Sequence, residues 1–410
     1  MRISKKDALE WFEYLSSLAG DKKEVCENYE RVIGSVYRQI ELSVNETHKQ
    51  MKSEIKTLQN LKERTYFVGN KDKFPKGCVS CLFGTGLGGV RKTNKCNLTC
   101  KFCYYHDNID NQEIIKEDMW EIGDSSYYIE DIDLLLSIQD KPSGIAYVYL
   151  EPFLEIEKYY EIVEKFHKAG IYQHLYTNGT LSTEENMKKL SDAGLDEIRF
   201  NLGATNCSDK VIEVMKMAKK YFKAVGIETP MTPEFFESFM AKKDAILATG
   251  IDFMNCAELH LGEDNVNNYS GEKLYMARRG YISPLWSREI TLKLMKMAED
   301  EKWDIVVHDC SNHTKFSREI NKNSKLKMGF GSNTYRSEFD RDLFHIFLPI
   351  LKDENFKFIK EEELEEEFRL ENCKDDIEMI MQNSYSEDEF YDGEEYMADD
   401  YFEDDEEDEE

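Results

Sequence analysis

Near the start of the chain, apolar side chains recur at three- and four-residue intervals, at Ala8-Leu9, Trp11-Phe12, Tyr14-Leu15 and Leu18, and a second such run covers residues 25–61. That spacing predicts amphipathic helices over residues 1–65, with no strand among them. From about residue 88 to 308 the pattern changes to short β-branched or aromatic runs, each followed by a charged amphipathic segment and usually by a glycine. This is the rhythm of alternating strands and helices. Strands are expected at 89–92, 145–150, 173–176, 197–201, 224–228, 251–255 and 304–308, and helices at 156–169, 183–193, 208–221, 233–248 and 287–301. Consecutive parallel strands with helical crossovers make a sheet with helices outside it, either open or curled into a barrel. In both forms the working site lies at the C-terminal ends of the strands. After about residue 321 the alternation stops, and the aromatic stretch 335–358 is expected to pack as a helix or two. The expected division is therefore a helical extension over 1–65, a core over 66–330, a helical segment over 331–372 and an acidic tail over 373–410.

Charge sharpens that last boundary. The formal net charge is -29, but residues 361–410 hold 26 Asp and Glu against only Arg369 and Lys374, so the first 360 residues carry -5. A like-charge block of this kind repels itself and cannot bury enough apolar surface to fold, so a disordered, solubilising tail is expected and nucleic acid is not an expected partner. Tyr385, Phe390, Tyr391, Tyr396, Tyr401 and Phe402 punctuate it and leave a docking role open. At 410 residues the chain can build a large core. No run of about eighteen apolar residues occurs, and the first residues lead into an amphipathic stretch rather than a signal segment. A cytoplasmic protein without membrane contact is expected.

Ten cysteines in such a chain point to metal or redox chemistry rather than to disulfides. Cys26, Cys207, Cys256, Cys310 and Cys373 are scattered; Cys78, Cys81, Cys96, Cys100 and Cys103 fall together. The decisive stretch is Cys96-Asn97-Leu98-Thr99-Cys100-Lys101-Phe102-Cys103, just after the first core strand. A 4Fe-4S cluster ordinarily takes four thiolates, so three close cysteines leave one iron open. That iron can chelate the amino and carboxylate groups of a methionine moiety, and electron transfer from the reduced cluster then breaks the adjacent sulfonium bond to release a carbon radical. Phe102, before the last cysteine, suits stacking on an adenine. The alternative is zinc, with Cys78 and Cys81 pairing with Cys100 and Cys103 as four thiolate ligands; this leaves Cys96 over.

The motif Cys96-x3-Cys100-x-Phe102-Cys103 resembles the signature of the radical S-adenosylmethionine superfamily, whose members bind the cluster in the loop after the first strand of a partial (β/α)6 barrel related to the TIM barrel. More narrowly, the chain is similar to largely archaeal proteins related to pyruvate formate-lyase activating enzymes. The similarity runs over about residues 88–321. It takes in Glu151-Pro152, Tyr176-Thr177-Asn178-Gly179, Leu195-Asp196-Glu197-Ile198-Arg199-Phe200, Gly226-Ile227-Glu228-Thr229-Pro230, the run from Phe253 to Leu259, and His308-x-Cys310-Ser311-x3-Lys315. The resemblance implies an α/β partial barrel and an enzyme that binds a 4Fe-4S cluster and S-adenosylmethionine. It takes an electron from reduced ferredoxin or flavodoxin and generates a 5'-deoxyadenosyl radical that abstracts hydrogen from a protein, peptide or small-molecule substrate. Cys96, Cys100 and Cys103 would hold the cluster, and Phe102, Glu151, Thr177, Asn178, Arg199, Asn201 and Glu228 the cofactor. The chain departs from the superfamily's pattern at Tyr149 and Leu150, where two glycines commonly stand.

Residue by residue, Glu151 closes an apolar run, so its carboxylate is expected to project at the strand's mouth and accept from the methionine ammonium. Thr177, Asn178, Asn201 and Glu228 equally suit turns or caps, and Arg199 suits either the cofactor carboxylate or a barrel glutamate. Cys78 and Cys81 could ligate a second cluster or a metal with Cys26, His106 or a distant cysteine, or be two packed thiols, and the glycine run 84–89 reads as a flexible approach to the cluster. His308, Asp309, Cys310 and His313 are expected to face substrate, with Cys310 a candidate hydrogen donor. Glu258, His260, Glu263, Asp264 and Asn265 are a candidate polar pocket or a surface loop. The rival to the enzyme is a non-catalytic zinc or iron-sulfur protein whose acidic tail recruits partners.

Overall fold

The computed structural model describes residues 29–312 and 314, apart from 63, 64, 113, 123, 124, 139, 140, 263, 270 and 278–280, together with 13, 16 and 17. The expected C-terminal helical segment and acidic tail, and His313, Glu263, Cys26 and Cys373, lie outside the described residues.

The caps explain the element boundaries. Thr183, Ser208 and Thr232 each accept a hydrogen bond from the backbone N–H three residues on, at Asn186, Val211 and Phe235. Each satisfies a donor that a helix start leaves orphaned. At the other end of the first of these helices, Gly194 takes the left-handed conformation at φ 104° and ends it. In chain order the elements are α1 (Tyr29–Ser53), β1 (Gln59–Leu61), β2 (Thr65–Val68), α2 (Lys76–Leu82), β3 (Gly86–Arg91), β4 (Met119–Ile122), β5 (Ser125–Tyr128) and α3 (Ile129–Ile138). There follow β6 (Gly144–Tyr147), α4 (Tyr159–Lys168), β7 (Tyr172–Thr177), α5 (Glu184–Ala193), β8 (Glu197–Phe200), α6 (Asp209–Ala218), β9 (Ala224–Pro230), α7 (Pro233–Leu247) and β10 (Phe253–Ala257). A hairpin of β11 (Leu274–Ala277) and β12 (Tyr281–Pro284), then α8 (Leu285–Glu301) and β13 (Val306–Cys310), complete the described part.

Among the described residues the main sheet runs β1-β2-β13-β10-β9-β8-β7-β6-β3-β4-β5. From β3 through β6, β7, β8, β9 and β10 to β13, all neighbours are parallel. Antiparallel pairs extend both ends, β2 on β13 and β4 on β3. β8 is buried at every position, which requires cover on both faces. One face is covered by α4 to α7, whose apolar sides (Ile162, Leu190, Met215, Phe239) join the strands in one core. The other face curves around a cavity of about 390 Å³ lined by residues of β3, β6, β7, β8, β9, β10 and β13. This is the α/β partial barrel.

The expectation of no strand before residue 65 is corrected by β1, and β2 adds a further unexpected strand beside it. Three- and four-residue strands are too short for a periodicity to be read, and a helical spacing was extended across them. The glycine run is also ordered rather than a loose approach, with Gly86 opening β3. Gly86, with Gly77 and Gly144, lets α2 press into the barrel. A Cβ on Gly86 would lie 3.1 Å from Ser80, and one on Gly77 would lie 2.5 Å from His174 Nδ1 and 2.8 Å from Arg199 Nη2. Helix α2 thus seats on the strands' N-terminal side, and a second small core of Leu61, Phe67, Phe74, Val79, Phe83 and Phe253 holds it there.

Candidate functional site

The loop after β3 carries the three close cysteines, and it is held from two sides. Asn178, at the end of β7, donates through Nδ2 to Asn97 Oδ1 at 2.9 Å and lies 4.0 Å from Cys96 Sγ. From the opposite side Asn265 and Asn268 donate to the carbonyls of Phe102 and Lys101, at 3.1 and 3.0 Å. Neither asparagine figured among the expected cofactor or metal residues, and a run of three asparagines in four residues was the available signal. His106 spends Nδ1 on the carbonyl of Cys100 at 2.9 Å, which ties it to the loop.

Cys96, Cys100 and Cys103 all line the cavity. Burial raises the pKa of each thiol, that of Cys100 to about 12 with Cys103 and Cys96 adding to it. Among the described residues no three His, Cys, Asp or Glu side chains converge on a point where a single metal ion would sit.

The remaining candidates come from the strand ends. Phe102, Thr177, Asn178, Arg199, Asn201, Glu228, Cys310, Cys78 and Cys81 line the same cavity as the three cysteines. Glu151 is the exception and does not line the cavity. Its carboxylate is fully buried and turned into the protein, where it accepts from Thr177 Oγ1 at 2.7 Å, Asn178 N at 2.7 Å and Phe153 N at 3.1 Å. Burial pushes its pKa up to about 7, against the pull of those three bonds. Glu151 therefore fixes the strand end that holds Asn178 against the cysteine loop. The two residues before it, Tyr149 and Leu150, stand at φ 75° and 57°, in the left-handed region that glycine adopts without strain.

The floor of the cavity is ionic. Arg199 donates to Glu197 through Nε and, through Nη1, to Glu228 Oε2 at 2.7 Å, Tyr176 Oη at 3.0 Å and Cys78 Sγ at 3.3 Å. Of the two roles open to it, this geometry supplies the barrel glutamates. Burial works against its charge, but Cys78, Glu197, Tyr176 and Glu228 outweigh that and hold it cationic. Burial pushes the Cys78 thiol well up although Arg199 pulls it down. Asn201 spends Oδ1 on Thr229 Oγ1 at 2.7 Å and on Ala204 N at 3.2 Å, so it is also a cap. His308 and Cys310 reach the cavity from β13, whereas Asp309 pairs with Arg288 at 3.0 Å on the far side of the strand. Glu258 lines the cavity, and His260 and Asn265 are buried rather than part of a surface loop.

Residues 90–240 match the family model described as the Radical SAM superfamily. A Methanocaldococcus jannaschii protein that carries the provisional name of glycyl-radical enzyme activating enzyme is 28% identical over 255 residues, 60% of this chain and 65% of its own length. The tungsten-containing aldehyde ferredoxin oxidoreductase cofactor-modifying protein of Pyrococcus furiosus is 25% identical over 192 residues, 41% of this chain and 49% of its own. The 5-amino-6-(D-ribitylamino)uracil–L-tyrosine 4-hydroxyphenyl transferase 2 of Methanococcus maripaludis is 28% identical over 174 residues, 35% of this chain and 44% of its own. The chain thus spans between 44% and 65% of the length of these curated relatives. Among the described residues no helix is long and apolar enough to cross a membrane.

Proposed function

We propose that the chain is a radical SAM enzyme, a reading supported by the match of residues 90–240 to the Radical SAM superfamily model, and that Cys96, Cys100 and Cys103 hold a 4Fe-4S cluster beside bound S-adenosylmethionine. Together, when bound, these groups supply reductive cleavage to a 5'-deoxyadenosyl radical that takes hydrogen from a substrate. The observation that carries the reading is that the three thiols and the polar strand ends of β7, β8 and β9 line one cavity. Phe102 gives that cavity an aromatic face beside Gly203. Thr177 and Asn178 present polar atoms that Glu151 locks in place from behind. Metal binding would displace the protons that burial holds on the three thiols.

The electron donor is a reduced ferredoxin or flavodoxin. The reaction is of the activating-enzyme kind, hydrogen abstraction from a separate substrate, which the name of the Methanocaldococcus relative supports. The test is anaerobic reconstitution with iron and sulfide, reduction with dithionite, addition of S-adenosylmethionine and chromatography for 5'-deoxyadenosine. Product is expected from the wild-type protein and not from Cys100→Ala. Zinc in place of iron, with no product, would overturn the reading.

A further inference from the structure

Beside Glu228, the cavity floor carries two side chains that were not among the expected cofactor residues, Asn255 and His308. Glu228, Asn255 and His308 are register partners on three adjacent parallel strands, β9, β10 and β13, and all three line the cavity. Asn255 donates Nδ2 to Glu228 Oε2 at 2.5 Å, which fixes its amide and leaves Oδ1 without a partner although the residue is 1% exposed. His308 is equally buried. Thr65 Oγ1 lies 2.6 Å from the carbonyl of Asp309 and 3.0 Å from His308 Nε2, so Nε2 is engaged by a hydroxyl. Nδ1 is left without a partner, and in the tautomer that carries the proton on Nε2 it is a bare acceptor. Burial and the nearby Arg199 keep the ring neutral, with its pKa lowered to about 3.

Charge points the same way. Arg199 shares one positive charge between Glu197 and Glu228, so with both carboxylates ionised the three carry one surplus negative charge. Glu228 spends Oε2 on Arg199 and Asn255, while no described hydrogen bond engages Oε1. The remaining guanidinium nitrogen, Nη2, faces Gly77 of α2 rather than offering a donor to this row. Buried polar atoms without partners are costly, and a row of acceptors beside surplus negative charge is satisfied by a cationic group bearing several N–H donors.

We propose that Glu228, Asn255 and His308 form the substrate subsite of this cavity and that it takes a protonated amine. The inference rests on the radical SAM reading for what happens to the substrate, but not for its binding. The test uses the full-length reconstituted protein held oxidised and anaerobic, with butylamine, butanol and butyrate as isosteric probes in calorimetric titrations. Butylamine is expected to bind at least tenfold more tightly than butanol, and butyrate not to bind. Glu228→Gln should bring the amine-to-alcohol ratio close to one, with circular dichroism checking that the variant is folded. Asn255→Ala keeps the charge and should weaken butylamine by several-fold while preserving a preference over butanol. Equal binding of amine and alcohol by the wild type, a preference for butyrate, or a ratio that survives Glu228→Gln would overturn the subsite. So would displacement of butylamine by S-adenosylmethionine, which would assign the row to the cofactor. Failure to form 5'-deoxyadenosine leaves these ratios untouched and sinks the catalytic reading alone.

Discussion

At the rim of the cavity, residues 92–108 form turns and extended stretches but no helix or strand, and Cys96, Cys100 and Cys103 are only partly buried. At the floor, Arg199, Glu197 and Tyr176 sit on central strands of the sheet, with Cys78 pressed against them from α2. The rim is held by asparagine bonds to backbone carbonyls and to one side chain, worth about 1 kcal/mol each. The floor is held by a buried ion triad in which every charge depends on another. On the proposed reading the rim exchanges thiol protons for a metal group away from the sheet, whereas the floor cannot lose Arg199 without stranding two carboxylates.

The largest expected effect tests that contrast. Arg199→Met should cost about 3–5 kcal/mol of stability, because it strands Glu197 and Glu228 in a dry site. Cys100→Ala in the metal-free protein should change stability by about 1 kcal/mol or less. Urea unfolding of both variants measures the difference, and comparable losses would break the comparison.

Glu151 lies between the two regimes and carries a signature in pH. Its folded pKa, about 7, lies above the ordinary 4.5, so the protonated form favours the fold. The stability it contributes is fully present below the unfolded value and is lost as pH rises through the folded one. Glu151→Gln removes that dependence while keeping an acceptor for Thr177 or Asn178. Relative to wild type, the variant should gain up to about 3 kcal/mol between pH 4.5 and 7.5. A flat difference in denaturant midpoints over that range would show that the three hydrogen bonds hold the carboxylate ionised throughout.

The smallest effect concerns strain at the rim. Left-handed backbone costs an L-residue about 1–2 kcal/mol, part of which glycine returns as chain entropy. Leu150→Gly should therefore raise stability by about 1 kcal/mol or less, read from the thermal midpoint. A clear loss would mean that the leucine side chain supports the cavity wall by more than its backbone costs.

How legible these regions were in the chain follows from the range of the interactions. β7, β8 and β9 announce themselves as apolar runs between capped helices, and the observed strands lie within two residues of the expected bounds. The cysteine spacing is a local signal too. Helix α2 was opaque, because seven residues with a glycine and two cysteines show no amphipathic period, and its cysteines suited metal ligands and packed thiols equally. The orientation of Glu151 depends on Thr177 and Asn178, 26 and 27 residues away. The role of Asn255 depends on strand register with Glu228 and His308, which a single sequence does not display.

The seat of α2 bears on how such a cavity can diverge. With Gly77 against His174 and Arg199, and with Ser80 within 2.7 Å of where a side chain on Gly144 would begin, any enlargement on the helix side collides with the ionic floor. New ligand shapes are reached by exchanging side chains on β9, β10 and β13, which leave α2 in place. Redesign of this barrel for another molecule should begin on those three strands, and a library built on the helix would sample mostly misfolded variants.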